Sequence, residues 1–401
     1  MRENIVFSEQ AKQLAATARE IADKHVRPGA KKHDKLQEYN WDAARAVAEA
    51  GLFKTFIPRQ YGGVEAGILA LAMVTEELAK ADSGFGVAFA VNALGSFPIL
   101  VGGTEEQKQK YMRPVAAGER LTAFGLSEKN AGSDAGGMST TGVRDGDGWV
   151  LNGAKKWNTN GLVAQMNTIF AVTDPESKSR RISAFVVDCP HEGLEITKIE
   201  DKMGIRAIPV VELKLTNLRL SADALIGGKP GLGFAHAMAT LDKARPGVAA
   251  QAVGCAQGAL DFALLYCTKR VQFGEPIVSK QMVQQLLADS AMQLEAARQL
   301  VYAAARHIDA ASPKANKFAA MAKCFATDVA MKVTTDAVQL LGGYGFMRDY
   351  PVEKYMRDAK ITQIYEGTNQ VQRMVIARNL IKEAHELDHL SSYFPIPESA
   401  R

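Results

Sequence analysis

The chain has 401 residues, with 47% apolar and 23% charged residues and a formal net charge of only +4. That length predicts two or three domains, and the apolar share is enough to bury a large core. The densest basic spots, Lys31-Lys32 and Lys178-Ser179-Arg180-Arg181, are turn-sized clusters, too short to form a nucleic-acid-binding stripe.

The N-terminus, Met1 to Phe7, lacks a charged-then-apolar leader pattern. The sequence is expected to hold no membrane span of ~18 uncharged apolar residues. Cys189, Cys255, Cys267 and Cys324 form no CxxC pair, which excludes a zinc ribbon and a disulfide scaffold and leaves thiols in a reducing compartment. The expectation is a cytoplasmic protein.

Ser8 predicts the N-cap of a helix from Glu9 to His25, with Pro28 just beyond. Leu69 to Ala81 repeats the helical period. Thr104-Glu105-Glu106-Gln107 fits a capping box that opens a helix which Pro114 is expected to stop. Near Leu121 the pattern changes. Val211 to Thr216 alternates apolar and polar residues, as do Ile182, Ala184 and Val186, and Gly146-Asp147-Gly148 marks a hairpin turn. Beyond Gly233 long helices return. Between Gln281 and Ala310 a stripe of Val283, Leu287, Met292, Leu294, Ala297, Val301, Ala304 and Ile308 predicts a core-facing helix. The order is α+β in separate domains: helices over 1–120, a β domain over 121–230, a helical bundle over 231–385 and a tail over 386–401.

Several local patterns bear on chemistry. His385-Glu386-Leu387-Asp388-His389 matches HExxH, but only Glu398 follows as a carboxylate, on a tail with Pro395 and Pro397, so no metal site is expected. The glycine groups 342–345 and 228–233 do not follow a strand and open a helix, which excludes a Rossmann fingerprint; a P-loop is absent. Gly228 to Gly233 reads as an interdomain loop, and Gly342-Gly343 as a close backbone approach to a ligand. Gly125 to Asp134 is a loop of small and hydroxyl residues whose amides suit a planar heterocycle or a pyrophosphate. Glu366 stands beside Gly367 in otherwise apolar sequence.

Two long patterns occur in order. Gly125-Leu126-Ser127-Glu128-Lys129-Asn130-Ala131-Gly132-Ser133-Asp134 runs on to Gly137. Gln339-Leu340-Leu341-Gly342-Gly343-Tyr344-Gly345 runs on through Asp349 and Lys354 to Asp358, ahead of Ile364-Tyr365-Glu366-Gly367-Thr368-Asn369-Gln370. Together they resemble the acyl-CoA dehydrogenase family of flavoproteins, from about Phe7 to about Ile381. The resemblance implies an N-terminal α-helical domain, a central β-barrel or sheet, a C-terminal four-helix bundle, and one FAD per subunit. It implies cofactor contacts from Phe124, Leu126, Ser127, Ser133, Trp157, Thr159, Thr368 and Gln370. The Trp157 indole would cover the flavin and the Thr159 hydroxyl would meet its N5 edge; Asn158 departs from the aliphatic residue usual there. Arg270, Phe273, Gln281, Gln339, Gly342 and Gly343 would complete the site of a partner subunit in a homotetramer, a dimer of dimers.

The same resemblance implies α,β-dehydrogenation of an acyl-CoA to its 2-enoyl-CoA. Glu366 would take the α-proton, hydride would pass from Cβ to the flavin, and the Glu366 amide would polarise the thioester carbonyl. Substrate contacts would come from Ser133, Asp242, Arg245, Tyr365 and Gly367. Some family members carry the base where this chain has Ala244, which leaves Glu366 as the candidate. Part of Phe85 to Leu94 is expected to line the acyl pocket, with Asn92 as a polar feature and no Arg for a dicarboxylate, so a short, medium, branched or cyclic acyl group fits. Electrons would pass to an electron-transfer flavoprotein. An acyl-CoA oxidase using oxygen and a helical acyl-CoA-binding protein without catalysis are the alternatives.

Overall fold

A computed structural model describes residues 7–393; the N-terminal reading over Met1–Val6 and the tail residues Pro395, Pro397 and Glu398 lie outside them. The first helix, α1 (Glu9–Ile21), starts where the Ser8 side chain accepts from the Ala11 amide, and continues as a wider π-helical turn over Ala22–Val26, so the chain stays helical to the expected region. Short α2 (Ala30–Leu36) and α3 (Trp41–Glu49) lead to α4 (Gly67–Ala81) and α5 (Ser83–Gly102). The Thr104–Gln107 capping box opens α6 (Glu105–Ala116) as expected. Pro114 does not stop it: the ring sits in the last turn, and the helix runs two residues on to Ala116 before Gly118 turns the chain at φ 75°.

The expectation about membrane-length segments needs correction. Ser83–Gly102 contains no charged residue, and it and Gly233–Lys269 are long and apolar enough to cross a membrane by composition. Both are mostly buried inside the protein, as core helices are.

Seven strands follow: β1 (Thr122–Gly125), β2 (Thr141–Asp145), β3 (Gly148–Thr159), β4 (Met166–Val172), β5 (Ile182–Asp188), β6 (Leu194–Ile199) and β7 (Val210–Leu220). They form one sheet in the order β1-β4-β2-β3-β7-β6, with β5 on the other side of β4. Period-2 alternation gives the sheet two apolar faces. Trp149, Leu151, Ile169, Phe185, Val187, Val211 and Leu213 make a core of its own. Met166, Phe170, Ile182, Ala184 and Val186 join the helical core around α5.

After the Gly228–Gly233 loop, α7 (Gly233–Lys269) runs to a small hairpin, β8 (Val271–Gln272) and β9 (Glu275–Pro276). Then come α8 (Gln281–Asp309), α9 (Ala315–Leu341), α10 (Val352–Thr362) and α11 (Asn369–Glu383). Helix α7 lies between α4 and α9, so the N-terminal and C-terminal helices share a core. On α8 the stripe buries Leu294, Ala297, Val301 and Ala304, but Met292 is 65% exposed. It is five residues from Leu287 and out of phase; Ser290 takes the buried place. The His385–His389 segment lies in a 3₁₀ stretch, and no metal-binding cluster of His, Cys, Asp or Glu occurs among the described residues.

One buried ion group locks these parts together. Lys354 Nζ on α10 meets Asp82, between α4 and α5, at 3.0 Å and Asp358 at 2.6 Å, and Asp358 accepts from the Ile205 amide ahead of β7.

Candidate active site

Between α10 and α11 the chain makes a tight loop. Glu366 takes φ 52° and Gly367 φ 94°, and Thr368 caps α11 by accepting from the Val371 amide at 3.3 Å. A left-handed conformation costs a non-glycine residue roughly 1–3 kcal/mol, so surrounding contacts must hold Glu366 there. Gly367 has no such cost, and a Cβ on it would strike Gln372 Nε2 at 2.3 Å.

The loop faces a cavity of about 210 Å³. Its walls come from all three parts of the molecule: α5, the β1 end and β3, and α7 with the Glu366 loop. The cavity collects Phe124, Leu126, Ser127, Ser133, Trp157, Thr159, Arg245, Tyr365, Glu366 and Gly367, so residues far apart in sequence meet in one place. Glu366 is the only carboxylate among the described lining residues, and Ala244 lines the same space with a methyl group. Glu366 Oε2 is buried with no hydrogen-bond partner. Burial pushes its acid up to about 7, against the pull of Lys323 and Arg245.

The loop after β1 is pinned from below. Lys155, wholly buried, donates to the Leu126 carbonyl at 3.2 Å and to Glu128 at 2.8 Å. Glu128 also accepts from the Ser139 and Thr140 amides, and despite partial burial these partners hold it down at about 2. Beside it a bulge in the β3–β7 pairing between Lys155 and Asn158 presents Trp157 at φ 58°, 52% exposed at the cavity edge, and Thr159 inside.

Not every expected residue reaches the cavity. Asn92 does not: its amide donates to the Ala88 carbonyl and its Oδ1 accepts from the Thr122 amide, so it ties α5 to β1. Helical phase puts Val87, Ala90, Val91 and Leu94 on the lining, and turns Phe85 away. Asp242 sits behind Arg245, accepting from it at 2.5 Å and from Asn316 at 2.8 Å. Gln370 is exposed on α11.

A second group faces outward at the end of α7 and α9. Arg270, Gln339, Gly342, Gly343 and Tyr344 line an open groove, with the Arg270 guanidinium 5.4 Å from the Tyr344 ring centre. No atom lies within 4 Å of where a Cβ would stand on Gly342 or Gly343. Phe273, on the hairpin turn, is 95% exposed, and Gln281 is exposed nearby at the α8 start.

Sequence reasoning missed Gln251, Lys156 and Lys323. Gln251 lines the cavity, donates to the Ser83 hydroxyl at 3.0 Å and accepts from the Tyr365 hydroxyl. Its signal was being the lone polar residue in Val248–Ala256. Lys323 Nζ donates to the Gly367 carbonyl at 2.8 Å and to Asn369 Oδ1 at 2.9 Å. Its signal was a lysine in step with Ala319, Ala320, Ala326 and Thr327 on the buried face of α9.

The fold and cavity define a class: a three-part helical, sheet and helical protein whose described cavity lining holds one carboxylate beside an exposed indole. Three family models match it: the N-terminal domain of acyl-CoA dehydrogenase over residues 8–119, its middle domain over 123–218 and its C-terminal domain over 231–381. A probable acyl-CoA dehydrogenase, fadE25, of Mycobacterium leprae is 46% identical over 93% of this chain and 96% of its own. The butyryl-CoA dehydrogenase structure from Megasphaera elsdenii is 40% identical, with TM-score 0.91, covering 95% of this chain and all of its own. A chain of a solved structure described as the electron transferring flavoprotein of Acidaminococcus fermentans is 45% identical, with TM-score 0.92, covering 95% of this chain and 99% of that one. The chain belongs to the acyl-CoA dehydrogenase family, FAD-dependent oxidoreductases that act on acyl-CoA thioesters.

The residues present fit that cofactor. An indole half-exposed at a cavity edge offers a flat face to a planar ring, and the two glycines open to solvent leave room for a phosphate-bearing chain.

Proposed function

We propose that Glu366 is the base that removes the α-proton of a short or otherwise compact acyl-CoA, in an α,β-dehydrogenation to the 2-enoyl-CoA. The observation that carries this is a buried Glu366 oxygen without a partner, aimed into a cavity that holds no other carboxylate. A base whose acid is raised to about 7 is matched to proton transfer near neutral pH. FAD, when bound, supplies the hydride acceptor.

The chain's own residues do the rest. Leu94, Phe97, Leu241 and Val248 exclude water and offer an apolar wall to the acyl group. The Glu366 amide is the donor for the thioester oxygen, where charge develops as the proton leaves. Arg245, tied to Asp242, is set as a brace rather than as a substrate anion's partner. Lys156, the other lining cation, is tied to Glu200 and Glu212. With both cations paired, a dicarboxylate has no free partner. Ser127, Trp157, Thr159 and Ser133 hold the cofactor in the same subunit, with Thr368 and Gln370 at the α11 start. Arg270, Phe273, Gln281 and Gln339 to Gly343 serve a partner subunit in a homotetramer. An electron-transferring flavoprotein is the electron acceptor, and the protein acts in the cytoplasm.

The test is flavin bleaching under anaerobic conditions against a panel of acyl-CoA esters. Butyryl-CoA and similarly compact esters should bleach fastest, with at least a tenfold fall by long-chain esters. Equal rates across the panel overturn the substrate reading, and rapid peroxide formation in air would favour an oxidase.

A further inference from the structure

Glu366 sits in a left-handed conformation, and something must hold it. Three side chains reach its loop: Gln251 of α7 accepts from Tyr365, and the Gly367 carbonyl accepts from Gln372 of α11 at 3.1 Å and from Lys323 of α9 at 2.8 Å, the one cation among them. Lys323 is wholly buried on α9, and its ammonium grips the carbonyl of Gly367, the next residue, and the side chain of Asn369. Asn369 is itself fixed by the Cys324 carbonyl, Thr327 and Asp328. Among the described residues no carboxylate forms a salt bridge with Lys323. A buried cation without a paired anion is an expensive structural choice, since an apolar residue of similar length fills the same space without desolvation.

The charges around Glu366 can be taken element by element. From α7 comes Arg245, already engaged with Asp242. From α9 come Lys323, Cys324 and Asp328, and Asp328 is paired with Arg373 of α11 at 2.7 Å. From β3 comes Lys156, held by Glu200 and Glu212. In the loop itself Tyr365 donates to Gln251. Lys323 is the one of these cations with no anion of its own.

We propose that Lys323 is the positioning residue of the proton-abstracting loop: its ammonium fixes the Gly367 carbonyl so that Glu366 faces the cavity, and its charge keeps that carboxylate ionised as a base must be. This rests on Glu366 being the base. The mutual electrostatics agree: burial lowers Lys323 to about 8 while Glu366 raises it, and Lys323 is the larger charge opposing the burial of Glu366.

The test compares Lys323→Met, which removes both bond and charge, with Lys323→Gln, which keeps a donor but no charge, each as FAD-loaded enzyme. Flavin reduction by butyryl-CoA would be followed across pH, together with acyl-CoA binding. The infrared carbonyl band of protonated Glu366, identified by its loss in Glu366→Gln, is read without substrate. Lys323→Met should slow reduction at neutral pH by tenfold or more with binding changed less than threefold. The midpoint of both the rate profile and the infrared band should rise by at least one pH unit. Lys323→Gln should regain part of the limiting rate at high pH yet keep the raised midpoint. If Lys323→Met does not fold, the Lys323→Gln midpoint decides. Unmoved midpoints overturn the proposal. A Glu366→Gln variant that reduces flavin at near parental rate would instead remove the base assignment, a separate outcome.

Discussion

Asn158 and Asn167 lie amide to amide beneath the Trp157–Thr159 turn, each donating to the other's oxygen at 3.3 and 3.0 Å, with both side chains 1% exposed. Asn158 stands where the sequence resemblance implies an aliphatic residue, and the partner explains how the interior accepts an amide there. A Cβ on Gly125 would stand 3.4 and 3.5 Å from the two amides, and one on Gly161 would strike Asn158 Oδ1 at 2.3 Å. The pair therefore braces β3 against β4 directly under the exposed indole.

A buried amide deprived of its partner costs about 1–3 kcal/mol, whereas replacing both partners with apolar groups is close to neutral. Asn158→Leu and Asn167→Leu should each destabilise the holoenzyme by that order and loosen FAD, while the double variant should lose far less than the sum. Chemical denaturation and flavin release in a double-mutant cycle would check this. Additive losses would mean that the pair is not a unit.

Glu366→Gln keeps size and hydrogen bonding but removes the base. The barrier should rise by about 3–5 kcal/mol or more, given the usual 10²–10⁴-fold worth of a positioned base. FAD and acyl-CoA should still bind. Ala244 sharpens the expectation, because no second lining carboxylate stands by to substitute. Anaerobic stopped-flow bleaching within a factor of a few of the parent rate would contradict it.

The long Gly125–Asp134 and Gln339–Asp358 patterns made the cavity wall and the outward groove readable from sequence, because their residues are close along the chain and each loop is a local object. Helical period found the α8 stripe but misplaced Met292, since a five-residue step breaks phase and Ser290 carries the face instead. Period also says that Asn92 is on a helix, but not which neighbour covers it; only the packing of α5 on β1 shows that its amide meets Thr122. Lys323 and Gln251 were hidden for the same reason. Their partners, Gly367 and Tyr365, lie 44 and 114 residues away and come near only when α7 and α9 pack together.

The outward groove carries the oligomer expectation. Phe273, 95% exposed three residues after Arg270, and Phe346, 78% exposed just after the Gly342–Gly345 run, are large apolar side chains that a partner surface would cover. The protein should scatter light as at least a dimer of its 43.3 kDa chain. Phe273→Asp should weaken assembly and FAD retention together, because the same face holds Arg270 and Gly342. A monomer that stays flavin-loaded and active would separate the two.

Glu366 should also leave a mark on stability that does not depend on turnover. Its acid titrates near 4.5 in an unfolded chain and is raised to about 7 in the folded one, by burial. Between those values the unfolded chain has released its proton while the folded chain still holds it. Stability therefore falls as pH rises through this window, and the loss is complete above about 7. Two and a half units would correspond to roughly 3 kcal/mol at most, reduced by the partial access of Glu366 to the cavity. Glu366→Gln has no proton to lose, so its gain in stability over the parent should be absent near pH 4, grow to about 2 kcal/mol by pH 8, and then level off. Denaturation curves of the FAD-loaded pair at several pH values would measure that difference directly. A gap between the two proteins that stays constant with pH would show that Glu366 titrates in the folded state as it does in water.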